Sequence, residues 1–237
     1  MQREYIKWKS PSLGRDMEML IFGKSGTPVI VFPTDEGRFF EWEDQGGMDA
    51  VTEQAESGYN QFFCIDSVAE ESFLNPDVDP YTRLMRENQY EMYIVDEVLP
   101  YIEEVNSNPF VISAGAELGA YQALRMALKH PELFDKVISI SGFFDINRFM
   151  DGFKDDNSYY NNPIEFIPNL NDQSILKSIS SLDLRLISYL NDPNKEPTLK
   201  MSDTLWLKFL QHDTTVWDEE TATPWALYPK MLRENLI

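Results

Sequence analysis

The stretch Val111-Ile112-Ser113-Ala114-Gly115-Ala116-Glu117-Leu118-Gly119-Ala120-Tyr121 decides how this sequence is interpreted. Its first residues are apolar, as in a buried strand, and the residues after it have the periodicity of a helix that ends before Pro131. Gly115 and Gly119 enclose three residues, and small residues at these places let a chain turn sharply while one side chain projects. The sequence therefore predicts a strand, a tight turn and a helix, with the carboxyl group of Glu117 at the turn.

Strand and helix patterns alternate along the rest of the chain. Two period-two segments near the N-terminus predict an antiparallel pair. The short apolar runs and helical segments that follow predict a mostly parallel, eight-stranded sheet with helices on both faces. Strands are expected at residues 5–9, 17–22, 28–32, 62–66, 110–113, 136–141, 184–189 and 213–217, and helices at 81–104, 118–130, 202–210 and 224–236.

Residues 147–181 interrupt this alternation. The segment is rich in Asn, Asp, Tyr and Pro, and we expect it to form a small cap insertion over one end of the sheet. The sequence has no internal repeat and no low-complexity tract. The simplest organisation is therefore one domain over residues 1–237.

The composition argues against several classes of function, among them nucleic-acid binding and membrane association. The 237 residues include 20 Lys and Arg against 40 Asp and Glu, which gives a net charge of −20. A surface this acidic repels nucleic acid and anionic membranes, and no apolar run is long enough to span a bilayer. No signal peptide is visible, and Cys64 has no cysteine to pair with. We expect a cytoplasmic protein with no cofactor.

The turn around Glu117 resembles the nucleophile elbow of α/β-hydrolases, Gly-x-Ser-x-Gly, with Glu117 in the place of serine. Segments on both sides resemble, in order and spacing, the esterase D-like branch of that superfamily. The resemblance implies an α/β-hydrolase fold over nearly the whole chain. The matching segments are residues 26–34, 37–39, 63–67, 71–72, 129–134, 139–145, 161–163, 191–193, 216–217 and 230–232, with Trp225.

The resemblance also implies where a catalytic triad would lie. The elbow serine corresponds to Glu117, the acid to Asp192, and the histidine to Thr223. His130 is expected at the end of the elbow helix, roughly 20 Å from Glu117 at about 1.5 Å per residue. His212 is expected at the amino end of the last strand, away from the elbow. If that strand instead covered residues 205–210, His212 would lie at the elbow end.

Thr34, Asp35 and Leu118 correspond to the oxyanion loop of the family, where small residues are common. We expect Asp35 and Glu36 to point to solvent. Alternatively they converge with Glu117 and Asp192 as a carboxylate cluster, in which Asp35, Glu36 and Glu117 are candidate metal ligands, or Arg38 pairs with Glu117.

Three hypotheses of function remain open. The first is an esterase homologue that is non-catalytic or strongly impaired, because a serine hydrolase needs both a hydroxyl and an imidazole. Such a protein would keep its pocket for a small-molecule ligand, or act as a scaffold for a protein partner or a second copy. The second is a hydrolase of small carboxylic esters that uses Glu117 or Asp192 as a base. The third is a carboxylate-lined metal-binding module.

Overall fold

One sheet of eight strands forms the centre of the molecule. The computed structural model describes residues 1–221 and 223–236. The strands are β1 (Arg3–Lys9), β2 (Asp16–Phe22), β3 (Thr27–Phe32), β4 (Asn60–Ile65), β5 (Ile112–Ala116), β6 (Lys136–Ile140), β7 (Asp183–Tyr189) and β8 (Asp213–Trp217). Their order across the sheet is β1-β2-β4-β3-β5-β6-β7-β8.

The first two strands are antiparallel and the others are parallel. β1 pairs with β2, and β2 with β4, in antiparallel register, whereas every pair from β4 to β8 is parallel. The predicted α/β fold with a mostly parallel sheet is therefore confirmed. Because parallel strands end at the same edge, the loops after β3, β5, β6, β7 and β8 meet there, and ligands of such sheets bind at this edge.

Helices cover both faces of the sheet and create an apolar core on each side. The α-helices are α1 (Glu41–Asp44), α2 (Gly47–Ala50), α3 (Thr52–Glu56), α4 (Pro80–Tyr93), α5 (Leu99–Val105), α6 (Leu118–Lys129), α7 (Asp156–Tyr160), α8 (Pro163–Asn169), α9 (Gln173–Ile179), α10 (Lys195–Trp206) and α11 (Tyr228–Asn235). A π-helical turn, Ile94–Val98, joins α4 to α5, and single 3₁₀ turns cover Ala69–Glu71, Ile146–Phe149 and Pro224–Ala226. Among the residues described, each helix is too short or too polar to span a bilayer.

The predicted start of the helix at residues 202–210 was wrong. A helix was expected over residues 202–210, but α10 begins at Lys195 and Ser202 lies inside it. Proline is compatible with the first turn of a helix, where the N–H groups have no intrahelical partner, so Pro197 does not prevent α10 from starting at Lys195.

The predicted insertion lies between β6 and β7 and contains α7, α8 and α9. Asp155 caps α7 through the backbone N–H of Ser158. The segment is tied to the elbow helix, because the hydroxyl of Tyr121 donates to the carbonyl oxygen of Asn161 at 2.8 Å. Ile167 and Ile179 are fully buried in the core.

Candidate active site

Glu117 lies at the predicted turn between β5 and α6. Its backbone has φ 55° and ψ −116°, a conformation that a residue with a side chain adopts only under strain. A Cβ on Gly115 would lie 2.4 Å from the carbonyl carbon of Gly119, and one on Gly119 would lie 2.4 Å from the Pro33 oxygen. The two glycines are thus required by close backbone contacts, and the turn presents Glu117, partly exposed, at the carboxyl edge of the sheet.

The carboxyl group of Glu117 accepts a hydrogen bond from a tyrosine hydroxyl. Tyr228, buried at the start of α11, donates its hydroxyl to Oε1 of Glu117 at 2.9 Å. Burial raises the pKa of Glu117, the Tyr228 hydrogen bond opposes that rise, and the nearby carboxylates of Asp35, Glu41 and Asp192 add to it. Burial, followed by the negative charge of Glu117, also raises the pKa of Tyr228, which stays protonated as the donor.

The sequence analysis missed Tyr228. The only available signal was its place in the last helix, directly after the loop expected to carry a histidine.

Asp35 does not point to solvent as predicted. Its Oδ1 accepts the backbone N–H of Leu118 at 2.8 Å, and the side chain is partly buried. Burial raises the pKa of Asp35 and the Leu118 N–H partly offsets this. Glu36, the next residue, is exposed as expected. The expectation failed for Asp35 because a free N–H at the start of a helix attracts a carboxylate, a long-range contact that composition does not reveal.

Thr34 is fixed by a second carboxylate. The Glu41 carboxylate accepts one hydrogen bond from the backbone N–H of Thr34 at 2.8 Å and another from the Thr34 hydroxyl at 2.5 Å. A Cβ on Gly37 would lie 2.1 Å from Oε2 of Glu41, so the loop after β3 folds closely around this side chain. The backbone N–H groups of Thr34 and Leu118, two residues of the predicted oxyanion loop, are therefore both bonded to carboxylates of the chain itself.

Asp192 is buried in the loop after β7 and accepts three hydrogen bonds. Ser141 donates its hydroxyl to Oδ1 at 2.7 Å, and Ser188 donates to Oδ2 at 2.8 Å. The backbone N–H of Asn194 adds a third bond at 2.8 Å. These partners come from the ends of β6 and β7 and from the loop that leads into α10, so Asp192 joins three segments at the carboxyl edge.

Thr223 lies in the loop before the last helix and is exposed. It exchanges hydrogen bonds with Thr221, whose backbone in turn bonds the side chain of Asn191. Within residues 1–221 and 223–236, its hydrogen bonds reach neither Glu117 nor Asp192. The structure thus brings Glu117, Asp35 and Tyr228 together, and leaves Thr223 at the rim.

Both histidines have partners elsewhere. β8 begins at Asp213, so the alternative register with a strand at 205–210 is wrong, and His212 lies at the amino end of β8. Its ring bonds the hydroxyl of Ser202 at 2.7 Å and the oxygen of Leu210 at 2.8 Å. His130 follows the last residue of α6 and bonds Glu91 at 2.8 Å.

The metal-ligand candidates do not form a metal site. Across the described part of the chain, no three His, Cys, Asp or Glu side chains are placed to hold a metal ion. Asp35 and Glu117 bond the Leu118 N–H and the Tyr228 hydroxyl instead. The alternative pairing is also wrong, since Arg38 forms a bidentate ion pair with Asp66 at 2.9 Å and not with Glu117. A cavity of about 110 Å³ lies between the loops after β3 and β4, lined by Asp35, Arg38 and residues 67–71 among others, and Glu117 is not part of its lining.

Comparisons with known proteins identify the family. The family model described as Putative esterase matches residues 11–236. A ferulic acid esterase superposes with a TM-score of 0.77 at 13% identity, covering 100% of this chain and 97% of its own. S-formylglutathione hydrolase FrmB from Staphylococcus aureus gives 0.72 at 14% identity, covering 99% and 95%.

MPT51 (FbpC1) from Mycobacterium tuberculosis gives a TM-score of 0.73 at 14% identity, covering 100% of this chain and 97% of its own. No protein of curated function matches the sequence. The strand order, the strained elbow and the family match agree, and this chain belongs to the esterase family of α/β-hydrolases.

Proposed function

We propose that this protein is an esterase homologue that hydrolyses esters very weakly or not at all, and that it uses the edge around Glu117 to bind a ligand. The observation that carries the proposal is the hydrogen bond from the Leu118 N–H to Asp35. In α/β-hydrolases the N–H of the residue after the nucleophile stabilises the oxyanion. Here a carboxylate already accepts this N–H, and its charge opposes a second anion at the same place.

The residue at the elbow supports the same conclusion. A serine hydrolase attacks with a hydroxyl whose proton passes to an imidazole that the triad acid orients. Glu117 offers a carboxyl group that accepts from Tyr228, and Asp192 accepts from Ser141 and Ser188. Loss of a triad serine or histidine removes several orders of magnitude of kcat.

A second candidate is hydrolysis of small carboxylic esters with Glu117 as general base. One observation favours it: burial raises the pKa of a partly exposed carboxyl group on the elbow, as in enzymes that tune a carboxylate towards neutral pH. In this mechanism Glu117 would take the proton of a water molecule that attacks the ester. The N–H of Leu118 would then be available to the oxyanion only if Asp35 moved.

One experiment separates the two candidates. Hydrolysis of p-nitrophenyl acetate and butyrate is measured for the wild type, for Glu117→Ala and for Glu36→Ala, the exposed neighbour that serves as matched control. We expect all three proteins to remain at the uncatalysed background. Turnover that disappears in Glu117→Ala but persists in Glu36→Ala would reject the non-catalytic proposal and establish Glu117 as a catalytic base.

We further propose that the ligand is a small molecule and that the protein works in the cytoplasm without a cofactor. The cavity beside Asp35 is small, and both Arg15 and Arg38 in its lining are paired with acidic residues. A thermal-shift screen of uncharged and cationic metabolites tests this. A ligand bound at the edge around Glu117 raises the melting temperature of the wild type but not of Glu117→Ala, whereas a ligand confined to the cavity beside Asp35 raises that of both proteins.

A further inference from the structure

Three large apolar side chains are exposed at the end of α10. Trp206 is 46%, Leu207 68% and Phe209 85% exposed. Together these three side chains leave on the order of 400 Å² uncovered, comparable to the largest apolar patch of a typical monomer. Trp206 lies near the amino end of β8, because its ring is 4.7 Å from that of His212, the residue before the strand. We call Trp206, Leu207, Phe209 and the outer edge of β8 the α10–β8 surface.

Both the backbone conformation and the exposure of Phe209 are unfavourable for a phenylalanine in the isolated chain. The N–H of Leu210 bonds the oxygen of Leu205, and the N–H of Phe209 bonds that of Trp206, which together form a Schellman motif at the end of α10. Phe209 occupies the left-handed position of this motif with φ 55°, where glycine is preferred. A glycine would remove both the backbone strain and the exposed ring. Within the chain, neither the backbone conformation nor burial of the ring favours phenylalanine at this position.

The edge of β8 is open to another strand. β8 is the last strand in the order of the sheet, and its sequence, Asp213-Thr214-Thr215-Val216-Trp217, contains no lysine or proline. Edge strands normally carry charged residues, proline or a bulge to prevent pairing with another chain, and among the five residues of β8 only the first, Asp213, is charged. Val216 is 38% exposed. A strand of this kind can pair with a copy of itself in antiparallel orientation around a two-fold axis.

Charge opposes self-association of this chain, which carries a net charge of −20. Two charged residues at the α10–β8 surface are engaged within the chain: Lys208 donates to Asn171 at 3.2 Å, and Asp213 pairs with Arg185. Asp203, Asp218 and the two glutamates after it are exposed at the margin of the surface. Self-association here therefore depends on burial of the apolar side chains and on strand pairing, against a repulsion that salt screens.

We propose that the α10–β8 surface is a homodimer interface, in which β8 of two copies pairs across a two-fold axis and Phe209 of each copy is buried. The three apolar side chains supply about half of the roughly 800 Å² that each partner contributes to an interface of ordinary size. The strand edges and their flanking polar residues supply the rest. This inference is independent of whether the elbow is catalytic.

Sedimentation equilibrium of the whole protein tests the proposal at low and at physiological ionic strength. We expect a concentration-dependent dimer that strengthens as salt is added, because salt screens the repulsion between two acidic chains. A monomer at every concentration, or a dimer that weakens with salt, would overturn the proposal. The second result would indicate association through ion pairs elsewhere.

Two variants locate the interface. Phe209→Gly should weaken the dimer at least about tenfold while raising the melting temperature measured under monomeric conditions, since the helix end becomes relaxed. Val216→Lys tests the strand edge independently and should also weaken the dimer. Tyr59→Ser, which removes an aromatic ring that is 66% exposed and precedes β4, is the matched control. Unchanged dimerisation in both variants, or equal weakening by the control, would refute the assignment.

Discussion

Oδ1 of Asp35 accepts the backbone N–H of Leu118 at 2.8 Å, and so an anion of the chain itself sits at the first N–H after the elbow. In a serine hydrolase this N–H faces the negative charge that develops on the substrate oxygen. The contact has a direct consequence for any attempt to rebuild catalysis. Replacing Glu117 and Thr223 restores the triad residues but leaves the anion in place.

The first prediction concerns this rebuilding. The double variant Glu117→Ser, Thr223→His should show weak hydrolysis of p-nitrophenyl acetate. Adding Asp35→Ser frees the Leu118 N–H, and we expect kcat to rise by about 10- to 100-fold over the double variant, since one oxyanion donor contributes roughly 10²–10³ in known enzymes. Steady-state kinetics of the two proteins provides the comparison.

Glu36→Ser on the same double background is the control, because Glu36 is exposed and adjacent to Asp35. It should leave kcat unchanged. If the double variant is already as active as the triple variant, the Asp35 contact does not obstruct the oxyanion site.

The second prediction concerns the charge on Glu117. Burial raises the pKa of this group, so the folded state binds its proton more tightly than the unfolded chain does. The ionised group therefore reduces stability at neutral pH, and this cost disappears as the pH falls through the folded pKa towards the ordinary value of 4.5. Glu117→Gln should raise the free energy of unfolding at pH 7 by about 0.5–1 kcal/mol, with a smaller gain at pH 4.5.

Urea denaturation at the two pH values measures the difference. Glu36→Gln, an amide replacement at an exposed position, should change stability little at either pH. A Glu117→Gln protein that is less stable than the wild type at pH 7, or equally stabilised at both pH values, would contradict the account of Glu117 as a partly desolvated carboxylate.

Much of the fold could be predicted from the sequence, because it depends on local patterns. Runs such as 28–32 and 62–66 are apolar enough to be buried on both faces, and their alternation with helices leaves few arrangements of the sheet. The turn at Glu117 was recognisable because close backbone contacts require Gly115 and Gly119. The family resemblance then placed Asp192 at the correct edge.

The contacts inside the site could not be predicted in the same way. Asp35 and Leu118 are 83 residues apart in the chain, and Tyr228 and Glu117 are 111 apart. Nothing local distinguishes Asp35, which bonds a helix N-terminus, from Glu36, which is exposed. Such pairings depend on the relative positions of loops after different strands, and these become known only when the sheet is assembled.

The third prediction tests the packing of the elbow. Gly119→Ala would place a methyl group 2.4 Å from the Pro33 oxygen, and Gly115→Ala would place one 2.4 Å from the carbonyl carbon of Gly119. Backbone atoms must move in both cases, so each variant should lose about 2–3 kcal/mol of stability or more. Gly152→Ala, at φ 82° with no atom within 4 Å of the new methyl group, should lose only about 1–2 kcal/mol. Equal losses in chemical denaturation would show that crowding at the elbow costs no more than an alanine in the left-handed conformation of Gly152, and would contradict the account of Gly115 and Gly119 as required by close contacts.

The fourth prediction concerns Tyr228, whose hydroxyl donates to Glu117 at 2.9 Å. This hydrogen bond stabilises the ionised carboxylate and lowers the pKa of Glu117, against the effect of burial. Tyr228→Phe removes the donor, so the pKa of Glu117 should rise further above its ordinary value. A ¹³C NMR titration of the glutamate carboxyl carbons measures this, with the Glu117 resonance assigned by its absence in Glu117→Gln.

Tyr5→Phe is the matched control for the loss of a hydroxyl, because Tyr5 on β1 donates to a different carboxylate, that of Glu18 on β2, at 2.6 Å. It should raise the pKa of Glu18 and leave that of Glu117 unchanged. An unaltered Glu117 pKa in Tyr228→Phe would mean that the phenol does not hold the carboxyl group in solution. The rise we expect would instead make Tyr228 a positioning residue, which keeps Glu117 charged and directed to the rim where a ligand would meet it.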